Sequence, residues 1–111
     1  MEKGKLNTKS KRELGVCILR RHPPEYRMLG KEERLKIDGE KKILNEKWIK
    51  KEGVARLGVY NPVWGTEYST MEFWEFPDLE SIAEYRQEIS KIEGHVTFFT
   101  FLVGASAHWV K

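Results

Sequence analysis

Cysteine is almost absent: Cys17 is the only one among 111 residues. A single thiol excludes an intramolecular disulfide framework and any cysteine-rich zinc site. Such sparing use fits a reducing cytoplasm, the expected location. Histidine is scarce as well, and His22, His95 and His108 show neither H-x-H nor i, i+4 spacing. No metal centre is expected from that pattern. Gly4, Gly15 and Gly30 stand isolated, so there is no glycine-rich phosphate loop, and no G-x-S-x-G elbow occurs. No cofactor is implied. No stretch approaches the ~20 apolar residues of a membrane helix, and Met1-Glu2-Lys3-Gly4-Lys5 leads into no apolar signal core. No membrane partner is expected.

Charge is plentiful, and its location matters more than its sum. The formal net charge is +3. Lys3, Lys5, Lys9, Lys11 and Arg12 face only Glu2 and Glu13 in residues 1–13, so the whole excess sits in that leader. The remainder is neutral, which argues against a nucleic-acid-binding body. The chain therefore divides into a basic leader (1–13), one domain (14–104) and a short tail (105–111). At this length one domain can bury roughly two-thirds of its unfolded surface and needs no staple.

The domain reads as alternating strands and helices. Leu14 to Arg21 is β-branched and apolar, and His22-Pro23-Pro24 stops it, because proline removes donors and forces extended or turn geometry. Lys31 to Lys51 is a charged helical stretch. Within it Ile37, Leu44 and Trp48 fall within about 40° of one another at 3.6 residues per turn. Asp38-Gly39 weakens its middle and predicts a kink or split, and Gly53 is placed for its C-cap. Val54 to Tyr60 is a second strand and Ser69 to Phe76 a third. Asp78 is a good N-cap for a second helix with apolar positions at Ile82, Tyr85, Ile89 and Ile92. His95 to Val103 is the fourth strand.

The order β-α-β-β-α-β is the split βαβ pattern of ferredoxin-like α+β folds. Right-handed crossovers predict a four-stranded antiparallel sheet in order 4-1-3-2, with both helices on one face. Pairing the end strands with His22 opposite His95 puts Leu14, Val16, Ile18, Phe99, Phe101 and Val103 on one face. Cys17, Leu19, Val96, Phe98 and Leu102 fall on the other. Both faces are apolar, and an uncovered apolar face of this size predicts a homodimer built through it.

A small chain with this element order and a two-faced apolar sheet resembles the dimeric α+β barrel superfamily. Met71-Glu72-Phe73-Trp74-Glu75-Phe76-Pro77-Asp78-Leu79-Glu80-Ser81 is similar to the strand–turn–helix of many members. Pro24, Tyr26, Leu29, Glu33 and Arg34, with the Phe76–Leu79 turn, resemble the darcynin-like proteins. The resemblance implies two sheets packed face to face. The wider group includes ring-modifying monooxygenases, lactone isomerases, polyketide cyclases and haem-degrading enzymes; the darcynin-like group brings no activity with it. Haem degradation there uses an Asn–Trp–His set, and although Trp74 has a suitable place, no histidine lies in the helix that follows.

The topology gathers one candidate site. His22 ends strand one and His95 begins strand four, while Tyr60 ends strand two and Tyr68 precedes strand three. In a 4-1-3-2 sheet all four lie at one end, joined by Tyr26 and by Trp64 from the connecting loops. Two imidazoles, three phenols and an indole suit a hydrophobic or aromatic small molecule. His22 or His95 would then be the acid or base, because imidazole titrates near neutral pH. Two functions follow. One is a cofactor-independent enzyme acting on such a metabolite; the other is a non-catalytic ligand-binding or accessory dimer. A cavity bordered by both histidines separates the first from the second, whose core is solid.

Overall fold

A computed structural model describes residues 14–64 and 67–105; the basic leader and His108 lie outside them. Within these bounds the chain runs β1 (Leu14–Arg21), α1 (Pro24–Arg27), α2 (Lys31–Ile49), β2 (Ala55–Tyr60), β3 (Thr70–Phe76), α3 (Leu79–Glu93) and β4 (Phe98–Ala105). The sheet order is β2-β3-β1-β4 with every pair antiparallel. This is the ferredoxin-like α+β arrangement expected from the sequence. The one-turn α1 is an addition, and Pro24 at its start has the φ a first helical turn requires.

Two expectations are corrected. Helix α2 runs unbroken across Asp38-Gly39 from Lys31 to Ile49. Ile37 before that pair and Leu44, Asn45 and Trp48 after it are all buried, and one packed stripe outweighs the ~1 kcal/mol propensity loss at glycine. Its C-cap is Lys50, while Gly53, at φ 83°, turns the chain into β2. A left-handed φ of this kind is where glycine is needed.

The second correction concerns the β1–β4 register. Leu14 pairs with Ala105 and Arg21 with Phe98, two residues away from the register that sets His22 against His95. Strand β4 starts at Phe98 because the chain first makes a turn after α3, closed by Val96 N–H donating to the Glu93 carbonyl at 3.1 Å. Val96 is thereby buried in that turn and lies on neither sheet face. A shift of two keeps strand parity, so the division of faces survives.

The helix side of the sheet is filled. Val16, Ile18, Trp74 and Phe76 meet Leu44, Trp48, Ile82, Tyr85 and Ile89 in one buried cluster. Asp78 starts α3 by accepting the Ser81 N–H at 2.7 Å. The opposite face is bare and apolar: Phe98 and Leu102 are more than half exposed, and Cys17, Leu19, Met71 and Phe73 lie between them and Tyr60. Cys17 is a small hydrophobe here; partial burial pushes its thiol up. Among the described residues no helix is long and apolar enough to cross a membrane.

Candidate functional site

Strand β1 delivers Arg20 to the helix side, buried to 4% exposure, and its neighbour His22 to the strand end. Burying a guanidinium is costly unless it is paired and hydrogen-bonded. Arg20 Nη1 donates to Glu72 Oε1 of β3 at 2.6 Å, and Nε donates to Glu93 Oε2 of α3 at 3.3 Å. Arg56 Nε reaches the other oxygen of Glu72 at 2.5 Å, and Lys41 Nζ lies 3.4 Å from Glu93 Oε2. Burial alone would raise the Glu72 carboxyl, but the Arg20 and Arg56 charges and hydrogen bonds outweigh it and hold the group below its ordinary range. Burial would likewise lower Arg20, and Glu93 and Glu72 outweigh it. Beside them the buried Tyr85 hydroxyl donates to Asn45 Oδ1 at 2.7 Å. Burial, with Glu72 nearby, pushes that phenol up.

His22 joins this network from the rim. Thr97 Oγ1 donates its one proton to Glu93 Oε1 at 3.0 Å. Its 3.3 Å contact with His22 Nδ1 is therefore one in which Nδ1–H donates. The Val96 carbonyl, 3.4 Å from the same nitrogen, also only accepts. Both contacts select the Nδ1–H tautomer and leave the lone pair on Nε2. The ring stacks on Tyr26 of α1 at 3.9 Å between centroids. Burial lowers the His22 pKa, opposed by the Val96 contact and by Glu93. The shift favours the neutral imidazole, the form a general base requires.

The remaining candidates share that end of the sheet but differ in exposure. His95 is exposed in the turn before β4, next to the Val96 that His22 contacts, so the two histidines share one end of the sheet. Tyr68 is half-buried. Trp64 is 87% exposed in the β2–β3 loop. Tyr60 belongs to the open face, where its ring meets Phe73 edge-on at 5.8 Å.

Among the described residues, three concavities stand out. The largest, about 840 Å³, is a groove between α3 and the edge strand β4. A second, about 500 Å³, lies on the open face around Tyr60, Met71 and Phe73. The third, about 370 Å³, is a polar crevice between α2 and β2 at Lys41, Asn45 and Arg56. Tyr60 is the one sequence candidate that lines any of these three; neither histidine does.

The fold is shared with chlorite dismutases. The enzyme from Candidatus Nitrospira defluvii superposes with a TM-score of 0.68 over 87% of this chain at 17% identity. This chain spans 43% of that one, so it corresponds to less than half of such a protein. A haem-binding protein from Thermus thermophilus superposes with a TM-score of 0.61 at 17% identity, over 86% of this chain and 42% of that one. A conserved protein from Methanosarcina mazei matches over 98% of its own length and 90% of this chain, with a TM-score of 0.56 and 20% identity. At these identities the likeness is one of fold. No protein-family model and no curated protein matches the sequence. What is shared is the ferredoxin-like α+β fold; a shared fold does not test the narrower darcynin-like resemblance.

Sequence reading missed the Arg20–Glu72–Glu93 network and the α3–β4 groove. Arg20 at an inward position of an apolar strand was the available signal. It calls for a buried acid, and Glu72 occupies an inward position of β3.

Proposed function

We propose that this chain is a homodimer assembled through its open sheet face that binds a hydrophobic small molecule on the helix side, as a ligand-binding module. One observation carries the choice of binding over turnover: side chains pack the core behind the sheet, and the α3–β4 groove is lined by neither His22 nor His95. The bare face carries Phe98, Leu102, Phe73 and Leu19, the composition of a subunit interface core. Covering about 800 Å² per partner at ~25 cal/mol per Å² is a large favourable term, offset in part by association entropy.

Light scattering at micromolar concentration is expected to give about twice the 13.1 kDa chain mass. Leu102→Glu, which sets an unpaired charge on the exposed β4 part of that face, is expected to weaken the dimer about a hundredfold or more. A wild-type species of 13.1 kDa only would rule the dimer out.

The haem bound by the Thermus thermophilus protein does not transfer to this groove. Haem iron takes His, Cys, Met or Tyr at its axial position, and none of these lines the space between α3 and β4.

A second reading, an enzyme of the cofactor-independent kind, is favoured by the Glu93–Thr97–His22 chain, because that chain engages Nδ1 and leaves the lone pair on Nε2. Here His22 would be the base and Tyr26 its stacking support, with His95 and Tyr68 at the same end. Nitrogen-resolved NMR is expected to find the Nδ1–H tautomer at neutral pH and a His22 pKa below 6.5. The opposite tautomer would sink this reading. Given a turnover assay, His22→Ala should cost ~10²–10⁴ in rate.

A further inference from the structure

We infer that the α3–β4 groove is a site for an amphipathic carboxylate, a free medium-chain fatty acid, with Arg86 and Lys91 receiving the acid group. The inference rests on the ligand-binding reading above and names its ligand class.

The lining is divided along the helix. Leu79, Ile82 and Ala83 from the start of α3 and Val103 from β4 make an apolar half. Arg86, Gln87, Ser90 and Lys91 make the other half, with Phe101 as its floor. At 1.5 Å per residue the apolar stretch from Leu79 to Arg86 is about 10 Å long, the reach of a medium acyl chain. Among the described residues both charged groups of the lining are cations, and the lining includes no carboxylate. The Arg86 guanidinium lies 5.5 Å from the Phe101 ring centroid, which holds that charge at the boundary between the two halves. A volume of about 840 Å³ is within the range of small-molecule sites.

Each alternative occupant meets an obstacle. A neutral apolar molecule would make no use of the two cations, and a polyanion would leave the Leu79–Val103 half uncovered. A second copy of the chain already has the larger bare face on the other side of the sheet. The amphipathic acid matches both halves at once.

The test is calorimetric titration of the full chain with decanoate and with decanol, each below its aggregation threshold. Decanoate is expected to bind about tenfold more tightly than decanol. The double variant Arg86→Gln/Lys91→Gln should lose that factor and leave decanol binding unchanged. Ala83→Phe, which fills the groove from an exposed helical position, should abolish binding of both.

Equal affinity for acid and alcohol would overturn the head-group assignment while leaving the ligand-binding reading standing. Absence of binding by either probe would overturn both. Undiminished decanoate binding by the Ala83→Phe variant would put the acid elsewhere and overturn the site. Capture by phosphatidylglycerol vesicles with no binding of free decanoate would assign the two cations to a membrane surface, and the inference would fail.

Discussion

Arg20→Met is expected to lower the free energy of unfolding by about 3–5 kcal/mol, a large share of the ~5–15 kcal/mol typical of a whole domain. The cost comes from what stays behind. Glu72 and Glu93 are each 1% exposed, and removing the guanidinium between them leaves two carboxylates buried with Arg56 and Lys41 as the remaining cations at the margin. The companion variant Arg20→Met/Glu72→Leu/Glu93→Gln should recover much of the loss, because replacing a whole buried ion cluster by apolar or neutral groups is far cheaper than breaking it. Urea titration of both variants checks this. Equal destabilisation of the two would show that shape, not charge, is what Arg20 supplies.

The same cluster sets the acid limit of the fold. Glu72 is held below its ordinary value of 4.5 in the folded chain. Its contribution is complete above the unfolded value and disappears as pH falls through the lower folded one. His22, lowered from 6.5, acts in a higher window: the unfolded chain takes up its proton first, so stability also declines as pH drops below 6.5. A folded chain whose urea midpoint held constant from neutrality to below pH 4 would contradict both shifts.

Trp48→Ala is expected to cost about 3–5 kcal/mol as well, by a different route. The indole is 1% exposed. It packs edge-on against Tyr85 at 5.7 Å and at a tilt against Phe76 at 5.9 Å. It joins α2 both to the sheet and to α3, where its Nε1–H donates to Glu88 at 2.7 Å. Removing it opens a cavity beneath α2, and the hydrogen bond is the smaller part. Trp48→Phe keeps most of the volume and should lose only about 1–2 kcal/mol. In denaturant the midpoint should move with the slope unchanged. A small effect for Trp48→Ala would mean that α2 is held chiefly by its own helical propensity, which its central Gly39 argues against.

How much of this was legible beforehand differs between fold and site. The β-branched, apolar run Leu14–Arg21, the strand expected over Ser69–Phe76, the His22-Pro23-Pro24 stop and the Asp78 cap are local signals, and each matches the element observed there. The order of those elements, with the handedness of crossovers, then gave the β2-β3-β1-β4 sheet. The bare apolar face was also legible, because strand parity survives a register error of two. The error itself arose because nothing local to His95–Thr97 says that three residues are spent on a turn before the strand begins.

The site was less legible, for a physical reason. His22 and His95 come to one end because topology alone puts strand termini together. Which histidine is oriented depends on Thr97 and Glu93, and they reach His22 from more than seventy positions away. Likewise Arg20 and its partners lie 52 and 73 positions apart in the chain. Charge pairing inside a core is set by side-chain reach across strands and helices, which sequence spacing does not encode. The groove has the same origin: its apolar and cationic halves are laid out along α3, but it exists only because β4 is an edge strand that α3 overhangs. Composition, periodicity and turn chemistry determined by themselves one ferredoxin-like α+β domain with two apolar sheet faces, since those signals act over a few residues. The tautomer of His22, the buried ion cluster and the α3–β4 groove were decided only by tertiary packing, because each is made of groups that meet for the first time when the sheet closes.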